Sequence, residues 1–526
     1  MTRRTLALVS LCGLLPVLVP GCGGGDGVTT TPPPTFSITT ASLPDGFVAF
    51  LYRQQISASG GAPPLTWTVS SGALPNDLTL ADASGSSATI SGTPATAQGA
   101  VMFTIQATDT KNQVATKSYT ITVQNTENGQ LQEVQGQAPG GTVEIRGLGA
   151  ASFNSTYWEQ ATLNWVPDVR TPMLAPQNTS PYQNIYAPSA LEQPTGWRLF
   201  YGGWDGSDTP NDRVYSVTTN DFLSFADRAL VIDHGVFVHV NNVNVQRLND
   251  GSLHMICTVY PDQNNLNKPA YFFSPDGETW NKSAQPYQAQ LGDIVSIQGY
   301  TNFQSGDFNG ANVLLWDGKV WTLYFSNWND QGPTGTLYRA TTDSLPAFQL
   351  QGVTMNTIYA VQDVKIFQSG GKNWYVVGFH DNTSLLWYSL SNDGVNFSKE
   401  RTLFVAHPSG EDQYMVSLGF VTSGGRLLGV LYGAGASSSL DQNRIFARWL
   451  QKKVAISDST GVQLTLQGGY GPDRQWFQMP ASGSLQGTIL VYAEDGVTPL
   501  ASGTVNLSGG KAYQLVLGPG TSVNAR

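Results

Sequence analysis

Along the middle of the chain, an aromatic ring or a histidine repeatedly precedes an aspartate by one or two positions. The pairs are Trp204–Asp205, Tyr260 with Asp262, Trp328 with Asp330, and His380–Asp381. Each closes a run of apolar, strand-like residues, and the run before it opens at Ala187, Asn242, Asn312, Asp363 or Ser417. A flat ring stacks on the apolar face of a sugar. A carboxylate accepts hydrogen bonds from two neighbouring hydroxyls. A pocket needs just such apolar walls with a few placed polar groups. The pattern therefore suits a carbohydrate site, with Trp204, Asp205, Asn242, Asn312, Trp328, His380 and Asp381 as candidate binding residues. Any one of these aspartates equally serves to close a turn on its own backbone.

These residues belong to a repeat. An apolar strand, a Gly turn and an aromatic strand occur as APSALEQPTGWRLFYGGW, NVNVQRLNDGSLHMICTVY, NVLLWDGKVWTLYFSNW, DVKIFQSGGKNWYVVGFH and VSLGFVTSGGRLLGVLYGAG. A second element follows the first four: VYSVTTNDF, AYFFSPDGETW, LYRATTDSL and LWYSLSNDGVNF. The fifth, IFARWL, keeps the strand without the turn. Both elements recur together every 50 to 70 residues or so, a period that signals a repeat architecture. Five four-stranded meanders predict a five-bladed β-propeller over residues 176–450. In such a meander the first strand starts, and the second ends, on the same face of the molecule, so the candidate residues surround one mouth. The turn Ser274-Pro275-Asp276-Gly277 lies on the opposite face. Asp276 is expected to close that turn on backbone N–H groups.

The repeat resembles the five-bladed propeller glycosidases, the invertases, levanases, arabinanases and β-xylosidases. Gln362-Asp363-Val364 is similar to the Arg-Asp-Pro stretch of the fructosidases, whose Asp stabilises the transition state. Gly410-Glu411-Asp412-Gln413 falls near the place of their general acid. The resemblance thus implies Asp363 and Glu411 as catalytic residues. It also implies an acid opening blade one, where this chain has Tyr186-Ala187-Pro188. Glycoside hydrolysis by this route needs two carboxylates, and Ala187 supplies none. Three readings follow. The chain binds carbohydrate without cutting it; or another acid (Asp205, Asp233 or Asp307) substitutes; or only the architecture is shared. Asp363 also suits a structural role, bonded to neighbouring blades.

Elsewhere the chain reads as all-β. Arg3 and Arg4, an apolar run from Leu6 to Val19, and Val19-Pro20-Gly21-Cys22 resemble the signal and lipobox of bacterial lipoproteins. That implies lipidation at Cys22, cleavage of residues 1–22, and an extracytoplasmic protein on the outer membrane or cell surface. Residues 23–35, rich in Gly, Thr and Pro, read as a flexible tether. Residues 36–124 carry short strands with regular turns, and GALP, SGTP and ATDT resemble the Ig-like, cadherin-like repeats of bacterial surface proteins. A calcium ligand at Asp109 is conceivable by that analogy, but a lone Asp in a turn is ordinarily structural. Residues 125–175 read as a linker and propeller lead-in, and 451–526 as a small C-terminal β-domain.

Only 12% of the 526 residues are charged and the formal net charge is -10, with no basic cluster, which excludes nucleic acid as a partner. After Cys12 and Cys22 only Cys257 remains, in an apolar strand, so neither a disulfide within a cleaved chain nor a paired-cysteine zinc site is expected. No cofactor or metal site is expected. A nucleophile elbow, a His-Glu-x-x-His motif and a phosphate loop are all missing. The expected function is carbohydrate binding or glycoside hydrolysis at a surface. Adhesion through the propeller is the remaining alternative.

Overall fold

The computed structural model describes residues 35–43, 45–47, 52–84, 87–92, 94–124, 127–128, 141–177, 180–261, 267–300, 312–326, 336–407, 409–439, 441–517 and 523–524. Cys22 and the expected signal and tether lie outside them, as do Trp328, Asp262, Asp307 and Asp330. The chain forms two compact units, one within residues 1–121 and the other comprising chiefly residues 122–526.

The first unit is a two-sheet sandwich. One sheet orders Ser37–Ile38, Tyr52–Ser59, Ser87–Gly92 and Leu78–Ser84. The other contains Val114–Gln124, Gln98–Thr108 and Thr66–Gly72. Phe103, Ile105 and Ala107 are buried while their neighbours Thr104 and Gln106 are not, the period-two pattern of a half-buried strand. With Ile56, Trp67, Ile90 and Ile121 they form one core. Asp109 closes its turn, accepting from the backbone N–H groups of Lys111 and Gln113, both at 2.8 Å, and of Ala62 at 3.1 Å. Burial raises the proton affinity of this carboxyl. The three backbone donors outweigh burial and hold it below the ordinary range.

The second unit contains a five-bladed β-propeller. Blade one runs Gln183–Glu192, Trp197–Asp205, Arg213–Thr219, Ala226–Asp233. Blade three runs Asn312–Trp316, Trp321–Ser326, Thr336–Thr342, Ala347–Asn356. Blade four runs Ala360–Ser369, Lys372–His380, Leu385–Ser391, Arg401–Val405. The first strand of each blade packs beside those of its two neighbours, and blade five meets blade one, so the ring is closed. Five apolar clusters fill the five gaps between blades. This explains the uninterrupted apolar strands. In Leu253–Tyr260, Met255, Cys257 and Val259 pack toward blade one and Ile256 toward blade three, so both faces of the strand are covered. Cys257 is fully buried, and burial holds its thiol well above the usual range, as an inert core residue requires.

Two blades depart from the simple meander. Blade two has three strands, His239–Arg247, Leu253–Tyr260 and Lys268–Ser274. The segment after it, interrupted by Pro286, instead supplies Tyr287–Gln288 to the edge of blade one and Ser296–Gln298 to the edge of blade three, both parallel. Blade five has Tyr414–Ser423, Arg426–Gly435 and Arg444–Leu450. Its fourth strand is Trp165–Pro167, from before the propeller, paired antiparallel with Arg444–Leu450. That strand closes the ring and accounts for the turn missing after IFARWL.

The stretch 125–175, expected as a linker and propeller lead-in, supplies strands to two domains among its described residues. Besides the closing strand it contains Thr142–Arg146, which lies between Gln475–Gln478 and Tyr513–Leu517 in a sheet of the C-terminal domain. That domain is a sandwich. Its second sheet contains Lys453–Asp458, Ser484–Tyr492 and Pro499–Ser508, and Val143, Ile145, Ile456, Phe477, Ile489 and Leu515 share its core. The propeller is thus inserted, in sequence, into this sandwich. A short helix, Ser155–Gln160, capped by the Asn154 side chain, buries Trp158 against blades four and five. The sandwich docks on blade five through Asp168. Its carboxylate accepts from the Arg170 guanidinium at 2.8 Å, from Trp449 Nε1 at 2.8 Å and from the Gly471 N–H at 3.2 Å.

Candidate functional site

The first strands of blades one, two, four and five each carry a β-bulge where they leave the mouth, with register jumps at Tyr186/Ser189, Asn241/Asn244, Val361/Asp363 and Met415/Ser417. Ala187 and Asn242 lie inside the bulges with positive φ, 50° and 51°. A bulge re-aims the side chains around it. The first residue after each jump is polar and buried: Ser189, Asn244, Asp363 and Ser417. Asp363 is therefore the structural counterpart of Ser189 in blade one, not of Ala187.

These residues join the blades. Ser189 Oγ accepts from the Val245 N–H (3.1 Å), Asn244 Oδ1 from Leu314 (3.1 Å), Asp363 Oδ2 from Phe420 (2.8 Å) and Ser417 Oγ from Ala187 (2.7 Å). Between blades three and four, Ser326 Oγ accepts from Val361 (2.9 Å). The hydrogen bonds run around the whole ring. Asp363, 2% exposed, also accepts at Oδ1 from Asn244 Nδ2 (3.0 Å), Lys365 Nζ (2.7 Å) and the Val364 N–H (2.8 Å). Its lone pairs are occupied by blades two, four and five. Glu411 sits on an exposed turn. Its neighbour Asp412 is buried and accepts from the His407 N–H and the Tyr432 hydroxyl. The expected catalytic pair of Asp363 and Glu411 thus has one enclosed, fully bonded member and one member facing solvent.

Two of the alternative acids are also committed. Asp205 is enclosed by Gln177 N–H (2.6 Å), the Tyr201 hydroxyl (2.7 Å) and Arg228 (3.1 Å), so its expected role on a sugar gives way to holding blade one. Asp233 pairs with Arg213 at 2.8 Å. Burial raises its carboxyl, and Gln288, Arg213 and the His234 N–H bring it below the usual range. Asn312 is buried, its amide donating to Thr258 Oγ1 at 2.9 Å, while its Oδ1 has no partner among the described residues. Asn242 is half-buried beside the same hydroxyl. Trp204 is half-buried, packs edge-on to Tyr182 and leaves Nε1 unpaired among the described residues. Burial brings His380 down to about 4, so its ring is neutral. Gln362 Nε2 donates to its Nε2 at 2.9 Å, and its Nδ1 donates to Asn382 Oδ1 at 3.0 Å. Asp381 is half-buried, and burial raises its carboxyl despite the bond from Thr383 Oγ1.

A cluster that the strand-end pattern does not single out lies at the mouth between blades one and two. Asp212, 5% exposed, accepts at Oδ2 from the Tyr186 hydroxyl (2.8 Å) and Asn241 Nδ2 (3.0 Å), with His239 Nδ1 3.2 Å away. Asn241 Nδ2 also donates to the Tyr186 hydroxyl, and Tyr260 packs edge-on to His239. Burial and the Asp212 charge push both tyrosine hydroxyls up, so they remain donors. Asp212 Oδ1 and Asn241 Oδ1 are buried with no partner among the described residues. Gly433 lets blade five press against this cluster, since a Cβ there would lie 2.5 Å from Tyr186 Cβ. The signal was topological: Asp212 opens a third strand, and the loop between second and third strands returns to the same mouth. Among the described residues no group of three His, Cys, Asp or Glu side chains is placed to hold a metal.

Residues 28–124 match the family model described as "Putative Ig domain". The N-terminal unit is an Ig-like domain. No curated protein matches the chain. Solved structures similar to it include an exo-β-1,3-galactanase from Clostridium thermocellum, at 11% identity and TM-score 0.37, over 59% of this chain and 78% of that one. An α-L-arabinanase from Cellvibrio cellulosa complexed with arabinohexaose aligns at 14% identity and TM-score 0.34, over 53% and 94% of the two chains. An arabinanase from Bacillus subtilis aligns at 10% identity and TM-score 0.35, over 53% and 97%.

Proposed function

We propose that the propeller binds carbohydrate at the mouth between blades one and two, and that Asp363 and Glu411 do not hydrolyse it. The observation that carries this reading is the Asp212 cluster. Asp212 fixes the Tyr186 hydroxyl and the Asn241 amide, and the partly exposed Tyr186, His239 and Tyr260 side chains beside them offer polar groups to sugar hydroxyls. Tyr186, Tyr260 and Trp204 add flat, partly exposed walls. The lipobox-like Cys22 supports a location outside the cytoplasm, where the Ig-like domain acts as a spacer between membrane and propeller.

Binding of neutral oligosaccharides by the full chain, measured by calorimetry with reducing ends assayed in parallel, tests this. The expected result is binding without new reducing ends, weakened about ten-fold or more by Asp212→Asn and unchanged by Glu411→Gln. Release of reducing ends that disappears in Glu411→Gln would overturn the reading. A second, hydrolytic reading rests on Asp381, whose raised carboxyl suits a proton donor at the mouth of blade four. Hydrolysis lost in Asp381→Asn but kept in Glu411→Gln would favour it.

A further inference from the structure

On the face opposite the mouth, the far ends of the first strands line an open cavity of about 670 Å³. Blade one contributes Glu192 and Gln193, blade two Gln246, Arg247 and Asn249, blade five Thr422, and Lys365 of blade four stands at its edge. Its volume falls within the range of roughly 300–1,000 Å³ typical of ligand pockets. The lining is mostly polar, as an apolar ligand would not require.

The charged side chains lining this cavity are Glu192, Lys365 and Arg247. Both Glu192 oxygens are already occupied, Oε1 by Ser423 Oγ at 2.8 Å and Oε2 by the Gly424 N–H at 3.1 Å. Lys365 spends one of its three donors on Asp363 and keeps 16% of its side chain exposed. Arg247 is exposed and makes no side-chain hydrogen bond or ion pair among the described residues. An unpaired guanidinium beside a partly paired ammonium is a recognition element for a single oxyanion, which the planar fork of arginine holds through two parallel bonds. The amides of Gln193, Gln246 and Asn249 and the Thr422 hydroxyl offer both donors and acceptors, as a ring of hydroxyls requires.

We infer that this cavity is a second ligand site, separate from the mouth, for a sugar carrying one acidic group, with Arg247 as its main anchor. The acid is a carboxylate or a sulfate, since both present the same pair of oxygens to the guanidinium. The site does not depend on the Asp212 cluster, and either can fail without the other.

Calorimetry on the full chain at low ionic strength tests the inference, with D-galacturonate, galactose 6-sulfate and galactose as probes. Binding of at least one acidic sugar is expected, but not of galactose, with affinity falling as salt is raised. Arg247→Glu should weaken that binding about ten-fold or more, while binding of neutral oligosaccharides at the mouth is unchanged. The two acidic probes distinguish a uronate site from a sulfated-sugar site. Because Arg247 is exposed, the variant is expected to melt with the parent protein, which checks that any loss is local. The inference is overturned if neither acidic sugar binds, if galactose binds equally well, or if Arg247→Glu binds the acidic sugar as tightly as the parent.

Discussion

Asp363 and Asp212 are both nearly enclosed aspartates, yet their oxygens are engaged differently. Asp363 receives donors from three blades on both oxygens, whereas Asp212 keeps one oxygen unpaired among the described residues. Removing the charge from Asp363 strands the Lys365 ammonium, so Asp363→Asn is expected to destabilise the propeller by about 3 kcal/mol, read as a shift of the urea midpoint. A second expectation concerns His380. Its folded affinity for protons is lower than in the unfolded chain, about 4 against 6.5. Between those values the unfolded state binds more protons, so stability falls as pH drops from 6.5 toward 4 and its loss levels off below. The full effect is on the order of 3 kcal/mol. A His380→Gln variant should flatten that part of the stability profile. At this scale the sequence revealed turn chemistry best. Asp276 accepts from the Glu278 and Thr279 N–H groups at 2.9 and 2.7 Å, which hold its carboxyl down at about 2. Asp393 repeats the motif with Val395 and Asn396. Those bonds are local, within three residues. The partners of Asp205 and Asp363 come from distant segments, and an aspartate awaiting a sugar reads the same in sequence as one bound to an arginine.

Strand identity was legible for a related reason. The inner blade strands, such as Leu253–Tyr260, are apolar on both sides because clusters fill the gaps on either side, and Gly, Asn and Asp mark their ends. Register was less legible. The bulges move the polar position two residues along in blades one and two, so aligning the strand openings pairs Asp363 with Ala187 instead of Ser189. Blade two's missing fourth strand escaped notice because its residues look like strand and do form strand, but on neighbouring sheets. The closing strand is the most exposed to failure. Trp165–Pro167 pairs over only three residues, with Val166 buried opposite Trp449. Val166→Asp, which buries an unpaired carboxylate at that seam, is expected to cost about 3 kcal/mol or more. Limited proteolysis should then cut first within blade five. Cleavage starting in another blade would show that ring closure does not rest on this strand.

Across the whole molecule, the Ig-like domain and the ring of blades follow from sequence because each is a contiguous stretch with its own period. The C-terminal sandwich does not, since Thr142–Arg146 is separated from both of its partner strands by the entire propeller. Five residues with alternating side chains carry no sign of so remote a pairing. This arrangement sets an order of events in time. During synthesis, Trp165–Pro167 and Thr142–Arg146 emerge early and find no partners until Arg444–Leu450 and then Tyr513–Leu517 have been made. Until then both present open strand edges, the kind of surface on which chains stick to one another. The slow step in maturation is accordingly the last one: a late strand must return to fasten an early one, and anything that delays the final seventy or so residues lengthens the interval in which the nearly finished ring can be lost to aggregation.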